Sequence, residues 1–269
     1  MLLKPKNKQT YPESAEREYF RVLRAVLREL DKSVRSVETI RLDSTEREKM
    51  VEHVREVFKE SDTHEEALRE IKRIYKNIDA LARLNLQRAI EECLNEAVEV
   101  NEAESEQFEE WEYTQRTLLK DVEESYFNKL AVMLGAMVMG NSIANRFEGM
   151  ERALEKRMKQ IAMNEVGNIF SWLTRMYQRE AGIEFYAWQT MRDDRVRSSH
   201  RARDGKFYFW DRKEAMDVEG VLVNPAPDLH PGEDYGCRCL AIPIFRYKKK
   251  VIQTSEPNLS TKISKGADK

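Results

Sequence analysis

Cysteine and histidine are scarce in this sequence. Its 269 residues include three cysteines, Cys93, Cys237 and Cys239, and four histidines. Three unevenly spaced cysteines are too few to staple a secreted scaffold with disulfides, so we expect a protein that folds in a reducing compartment. The N-terminal residues contain no apolar stretch of the kind found in a secretory signal peptide, which agrees with that expectation.

Long apolar runs are also absent. The longest, residues 130–139, has about half of the roughly 20 apolar residues that a helix needs to cross a bilayer. The mean hydropathy of −0.70 also argues against an integral membrane protein. We therefore expect a buried core helix at this position and no membrane span.

Neither sign of charge is in clear excess. Lys and Arg together number 46, and Asp and Glu number 48, which gives a formal net charge of −2. This balance excludes a generally basic nucleic-acid-binding protein, so any basic function must be local. Glycine-rich turns that cradle phosphates between a strand and a helix are absent too, and we expect neither nucleotide chemistry nor a small-molecule substrate.

The positions of proline and glycine divide the chain. Residues 13–224 contain no proline, and the first glycine is Gly135. Both residue types break helices, so their absence predicts a long helical region. Apolar side chains recur at steps of three and four through residues 19–34, as in an amphipathic helix. We interpret residues 1–12 as a flexible N-terminus and residues 13–182 as a helical domain.

The composition changes after Gly182. Short β-branched or aromatic runs, separated by Asp, Gly and Pro, fill residues 183–247 and predict short strands joined by loops. Residues 248–269 are basic and contain few apolar side chains, which is typical of a disordered tail. The predicted fold is mainly α with a small C-terminal α+β module: a helical N-terminal region, a short-strand C-terminal domain and a disordered basic tail.

The α+β module contains a candidate metal site. Thiols and imidazoles are the ligands that zinc prefers, and one structural zinc ion could stabilise a module that is too small for a large core. The candidate ligands are His200, His230, Cys237 and Cys239. Only one residue separates the two cysteines, however, and an extended segment would point their side chains to opposite faces. The alternative is that both histidines are hydrogen-bonded loop residues, with one cysteine in the core and the other facing solvent.

Two other functions stay open for the same part of the chain. A metal-dependent nuclease could use His200 beside the Cys237/Cys239 pair, since His and Asp next to an ion can activate water. No nuclease signature accompanies these residues, and we expect no catalytic residue and no enzyme activity. A DNA-binding module could act through the basic tail, where lysines occupy the three consecutive positions Lys248, Lys249 and Lys250.

Arginines around His200 form a further basic cluster. They could contact DNA phosphates in a salt-dependent way. The nearby carboxylates of Asp193, Asp194 and Asp204 could equally hold them in internal ion pairs. Because these arginines could be paired internally, the basic tail is the better electrostatic candidate for DNA contact.

A specific motif runs through the module. It begins with a Trp-x-Thr element, continues with an Asp-Arg-Val-Arg-x-x-His element and a turn that ends in Gly, and closes with Cys-Arg-Cys. Its residues are Trp188, Thr190, Asp194, Arg195, Val196, Arg197, His200, Gly205, Cys237, Arg238 and Cys239. This motif resembles the phage Mu protein F-like family of minor head proteins, also called phage head morphogenesis proteins. The resemblance extends over residues 140–245.

The resemblance implies a minor head (capsid) protein of a tailed phage or prophage. Such a protein would be associated with the portal and would act in head morphogenesis, in DNA delivery or in both. Its partners would be the portal protein and capsid or scaffold proteins, with packaged DNA as a further partner. It would be located in the virion after assembly in the host cytoplasm, and neither role requires enzymatic turnover.

Overall fold

The computed structural model describes residues 1–7, 9–35, 44–59, 61–101, 105–135 and 143–246. The helices are α1 (Glu13–Arg35), α2 (Ser44–Lys59), α3 (Thr63–Leu94), α4 (Ser105–Gly135), α5 (Ile143–Glu180) and the short α6 (Ser198–Arg201). The strands are β1 (Leu2–Leu3), β2 (Phe185–Gln189), β3 (Phe207–Phe209), β4 (Met216–Val218), β5 (Val221–Asn224), β6 (Leu240–Pro243) and β7 (Phe245–Arg246). The predicted fold class is confirmed, with helices first and a small strand-rich region after them. The predicted basic tail at 248–269 lies outside the described residues.

The five long helices pack into a bundle in which α1, α3 and α5 contact one another most extensively. The apolar stripe predicted in α1 faces this core, and Tyr19, Leu23 and Leu30 are fully buried. Polar side chains that reach the interior are paired across helices: the Tyr126 hydroxyl donates to Asp31 at 2.7 Å. Such pairing offsets the cost of removing a carboxylate from water. Among the described residues, no helix is both long enough and apolar enough to cross a membrane.

The C-terminal strands form a five-stranded mixed sheet in the order β4-β5-β3-β2-β6. The central strand β2 runs antiparallel to both β3 and β6, and β3 pairs with β5 in parallel. The aromatic and β-branched runs of the sequence form β2, β3, β5 and β6. Strand β4 was not among the predicted runs, because its sequence, Met-Asp-Val, has no aromatic residue and only one β-branched residue.

The sheet and the helical bundle share one hydrophobic core. Phe185 of β2 and Ile242 of β6 belong to the same buried cluster as Leu173 of α5. The Gln178 amide in α5 also donates to the backbone carbonyl of Ala241 at 2.8 Å. The change at residues 182–183 is therefore a change of secondary structure within a continuous core.

The N-terminal residues differ from the flexible segment expected for 1–12. Strand β1 pairs antiparallel with β7, and the backbone N–H of Lys6 donates to the Glu92 carboxylate at 2.7 Å. The Asn85 side-chain amide donates to the Thr10 carbonyl at 2.9 Å, and Tyr11 is buried. These contacts satisfy backbone groups that the sequence pattern alone leaves without partners, since the partners lie more than 70 residues away.

Candidate metal centre

Three buried side chains from distant parts of the sequence meet beside the sheet. The Nδ1 atom of His200 lies 3.5 Å from the sulfur of Cys237 and 3.6 Å from the sulfur of Cys239. All three donor atoms lie within 4.8 Å of one another, and each of the three residues is less than 7% exposed. We refer to His200, Cys237 and Cys239 as the thiol-imidazole centre. Among the described residues, this is the one group of three or more such side chains arranged closely enough to hold a metal ion.

Local backbone geometry explains why both cysteines face the same imidazole. Residues 231–236 form turns, and Gly236 has a φ of +64°. The Cys237 N–H then donates to the Asp234 carbonyl at 2.8 Å, and the Cys239 N–H lies 3.4 Å from the Cys237 sulfur. The cysteines thus directly follow a turn and lie before β6, and both are buried, unlike the alternating arrangement of an extended chain that the one-residue spacing suggested. The expectations that the cysteines point to opposite faces, or that one of them faces solvent, are therefore wrong.

Helix α5 holds this turn in place through three side-chain or backbone contacts. The Gly236 N–H donates to the Asn164 side chain at 3.2 Å, and the Ser171 hydroxyl donates to the Pro231 carbonyl at 2.5 Å. A Cβ added at Gly167 would lie 2.9 Å from the Cys237 carbonyl oxygen, which is closer than real Cβ atoms come. The absence of a side chain at Gly167 thus permits the cysteine segment to lie directly on the helix.

The imidazole is oriented from its other side. The Nε2 atom of His200 lies 3.2 Å from a carboxylate oxygen of Asp234, and the same carboxylate accepts a hydrogen bond from Arg197. The ring packs edge-on against Trp188, with the ring centroids 5.4 Å apart. These contacts direct Nδ1 towards the sulfurs, which is the arrangement seen when a carboxylate fixes a metal-binding histidine.

The two thiols are electrostatically unequal. The pKa of Cys237 is lowered to about 6, chiefly because the Cys239 thiol donates a hydrogen bond to its thiolate, although burial opposes this effect. The same interaction, together with burial, raises the pKa of Cys239. The structure thus favours one thiolate and one thiol when nothing else occupies the centre.

A small cavity of about 220 Å³ adjoins the centre. The three donor residues form part of its wall. The rest of the lining consists of Gln160, Met163, Met191, Val196, Tyr235 and Gly236 together with three arginines, Arg195, Arg197 and Arg238, which pair with Asp193 or Asp234. The three side chains of the centre are therefore largely buried, and one side of the centre borders the cavity.

His230 does not join the other candidate ligands. Its Nδ1 atom lies 2.9 Å from the Tyr186 hydroxyl, and its ring packs 4.9 Å from the ring of Trp210. Burial, aided by the charge of Arg175, lowers its pKa to about 4, so the imidazole is neutral near pH 7. The structure therefore brings together three of the four candidate ligands and places His230 elsewhere. The two imidazoles pack on different aromatic rings, His200 on Trp188 and His230 on Tyr186 and Trp210.

The other motif residues mostly support the loop that carries His200. Gly205, with a φ of +79°, donates its N–H to the Trp188 carbonyl at 2.7 Å, and the Thr190 N–H donates to Asp204 at 2.8 Å. Arg238 is buried and pairs with Asp193. Asp194 is exposed and therefore does not contribute to the buried centre.

Two residues near the centre were missed by the sequence analysis. Asp234 lies in the segment between His230 and Cys237, where nothing in the pattern distinguishes it from the neighbouring Glu233. Asp204 belongs to the turn after His200 and was considered only as a partner for arginine. The predicted internal ion pairs between arginines and nearby carboxylates are supported, since Arg192 pairs with Asp204 at 3.1 Å and Arg195 pairs with Asp193 at 3.4 Å. Lys248, Lys249 and Lys250 lie outside the described residues.

Comparisons with known proteins identify the segment that contains this centre. Residues 130–242 match the family described as Phage Mu protein F like protein, and the resemblance inferred from the motif is confirmed for that segment. A protein of Haemophilus influenzae, described as uncharacterized, is 29% identical over 143 residues, which is 51% of this chain and 29% of the relative. The matched region thus covers less than a third of the length of that relative. No solved structure gives a significant match.

Proposed function

We propose that this chain is a minor head (capsid) protein of a tailed phage or prophage, which acts in head morphogenesis, in DNA delivery or in both. The observation that carries the proposal is the Phage Mu F-like match over residues 130–242. That segment includes all of α5, the thiol-imidazole centre and the five-stranded sheet except its last residue, Pro243. The role is structural and needs no turnover, and the protein acts in the phage head after assembly in the host cytoplasm.

The proposed partners are the portal protein and capsid or scaffold proteins. An open groove between α4 and α5 supports a contact of this kind, because its lining combines apolar Val132, Met133 and Met150 with charged residues such as Asp121 and Arg157. Val132 is 74% exposed within this lining and is therefore available for contact with a partner. Mixed apolar and charged surfaces of this type are common in interfaces between separately folded proteins.

Deletion of the gene from the phage genome tests the proposal. The deletion is expected to reduce the yield of infectious particles, through fewer heads, heads with less DNA or filled heads that fail to deliver it. Expression of the intact chain in trans should restore infectivity, and the variant Val132→Asp should restore it less well than a control variant at exposed Tyr113 of the same helix. Normal numbers of filled, infectious heads without the gene would refute the proposal.

Packaged DNA is a further proposed partner, through the basic residues Lys248, Lys249 and Lys250. Binding through phosphate contacts should weaken steeply as the salt concentration rises. A chain truncated after Phe245 should then lose its affinity for duplex DNA. Unchanged binding by the truncated chain would remove the tail from consideration and direct attention to arginines of the folded region.

A further inference from the structure

We propose that His200, Cys237 and Cys239 bind one zinc ion, and that the fourth coordination position faces the adjoining cavity and is taken by water. Asp234 completes the site as a positioning residue for His200. This inference rests on the geometry of the thiol-imidazole centre and holds whether or not the chain acts in a phage head.

The distances between the donor atoms fit a tetrahedral zinc ion. Zinc binds sulfur at about 2.3 Å and imidazole nitrogen at about 2.0–2.1 Å, so a sulfur and a nitrogen on the same ion lie about 3.6 Å apart. The observed separations are 3.5 Å to Cys237 and 3.6 Å to Cys239. Both sulfur–nitrogen separations are thus at ligand spacing, and all three donor atoms lie within 4.8 Å of one another.

The surroundings also fit a metal site. Two sulfurs and one imidazole nitrogen are a ligand set that zinc accepts, and softer thiolate ligands disfavour magnesium or calcium. The Asp234 carboxylate lies 3.2 Å from the His200 Nε2 atom, where it can accept the ring N–H while Nδ1 binds the ion. Carboxylates in this position orient metal-binding histidines and raise their basicity.

Zinc at this position would connect two segments that are distant in the sequence. His200 lies on the short helix α6 in the loop between β2 and β3, and the cysteines lie on the segment that leads into β6. That loop has no strand of its own, and several of its residues, including Arg195 and Arg197, are exposed. One ion would therefore fix both segments against the central strand β2, a role that a larger apolar core would otherwise have to fill.

The fourth position is not taken by another protein ligand among the described residues near the cavity. His230 contacts Tyr186 and does not line the cavity, and Asp234 approaches the opposite nitrogen of His200. The cavity that adjoins the three ligands has room for solvent, with a volume of about 220 Å³. Three protein ligands and one exchangeable position form an accessible zinc site, unlike the closed four-ligand sites that are purely structural.

Metal analysis of the purified full chain tests the site. After incubation with ZnCl₂ and desalting, we expect about one zinc ion per chain. The variants Cys237→Ser and Cys239→Ser should each lose most of this zinc. Cys93→Ser and His230→Gln are matched controls, since each removes a Cys or a His outside the centre, and both should keep it. No retained zinc in the intact chain, or full retention in the Cys237→Ser and Cys239→Ser variants, would overturn the proposal.

X-ray absorption spectroscopy of the zinc-loaded intact chain gives a readout that does not depend on variants that could misfold. The expected first shell contains two sulfur atoms and two nitrogen or oxygen atoms, one of which exchanges with added thiol or cyanide. A shell of four or more nitrogen and oxygen atoms would place the ion elsewhere and contradict the proposal. A closed shell that does not exchange would contradict the open fourth position.

The positioning role of Asp234 is tested by the variant Asp234→Asn. Loss of a carboxylate that orients a metal-binding histidine lowers metal affinity by about 10–100-fold. Competition with a chelating dye should show a decrease in zinc affinity of this size. The absorption spectrum of the cobalt-substituted variant should still indicate two sulfur ligands. An unchanged affinity would show that the ion pair at Asp234 serves only the fold of the turn.

Discussion

At the scale of single residues, His230 is a buried imidazole that folding keeps neutral. Its pKa falls from the ordinary value of 6.5 to about 4, chiefly because of burial and secondarily because of the Arg175 charge, while the Asp211 charge opposes the shift. A histidine with a lowered pKa contributes stability that is present above pH 6.5 and is lost as the pH falls towards about 4. Protonation would also disturb the hydrogen bond with Tyr186.

The variant His230→Gln tests this assignment. Its free energy of unfolding should depend less on pH than that of the intact chain, so the difference between the two proteins should shrink as the pH falls from about 7 to about 4.5. Urea unfolding at several pH values provides the measurement. Acid release of metal affects both proteins alike and cancels in the comparison. Parallel pH dependences for the two proteins would contradict the assignment of a buried neutral imidazole.

Individual site residues could be predicted from the sequence only in part. The sequence analysis grouped His200 and the two cysteines because their residue types are rare in this chain and characteristic of metal ligands, and the structure brings these three side chains together. Whether two cysteines one residue apart face the same way depends on the turn at Gly236, which no spacing rule specifies. The separation of His230 and the role of Asp234 depend on tertiary contacts, and residue type alone could not reveal them.

At the scale of elements, α5 is the helix that positions the centre. Two of its glycines lie in opposite environments. A Cβ at Gly149 would meet nothing within 4 Å, whereas a Cβ at Gly167 would lie 2.9 Å from the Cys237 carbonyl oxygen. The first glycine only costs helix stability, and the second permits close packing of the cysteine segment.

Alanine at these two positions should therefore have effects of opposite sign. Gly149→Ala is expected to stabilise the protein by about 0.5–1 kcal/mol, because alanine is the better helix former. Gly167→Ala should destabilise it by about 1–3 kcal/mol, since the new methyl group forces the cysteine segment away from α5. Chemical denaturation of the two variants provides the values. Equal stabilisation by both would show that the cysteine segment does not pack on α5 as described.

Elements with strong local signals were predictable, and those without such signals were not. The lack of proline and the scarcity of glycine predicted the region of the five long helices, and aromatic and β-branched runs predicted four of the strands. Strand β1 has only two residues, and its pairing partner β7 lies at the other end of the described chain. A strand of this kind forms because of a distant partner, and a local pattern does not reveal it.

At the scale of the whole molecule, the continuous core predicts cooperative unfolding. The sheet and the bundle belong to one buried cluster, and α5 contacts β6 directly. In a variant with Trp111→Phe and Trp172→Phe, thermal unfolding followed by helical circular dichroism should coincide with unfolding followed by tryptophan fluorescence, since the remaining Trp188, in β2, and Trp210, directly after β3, are buried. Two separate transitions, with the helices melting independently of the tryptophans, would contradict a shared core.

The proposed biological role concerns the whole molecule, and the sequence indicates it only in part. The fold class and the family segment could be inferred from the sequence, because a motif of eleven dispersed residues is more specific than any single site. The partners could not be inferred, since surfaces such as the α4–α5 groove carry no motif.

The most direct measurement is quantitative mass spectrometry of gradient-purified, DNA-filled particles of the phage that encodes this chain. Peptides from both the helical region and residues 183–246 should be present at a few copies per particle, far below the major capsid protein. They should remain with the head after the tail is removed. Complete absence of the chain from filled heads and from their assembly intermediates would contradict the account.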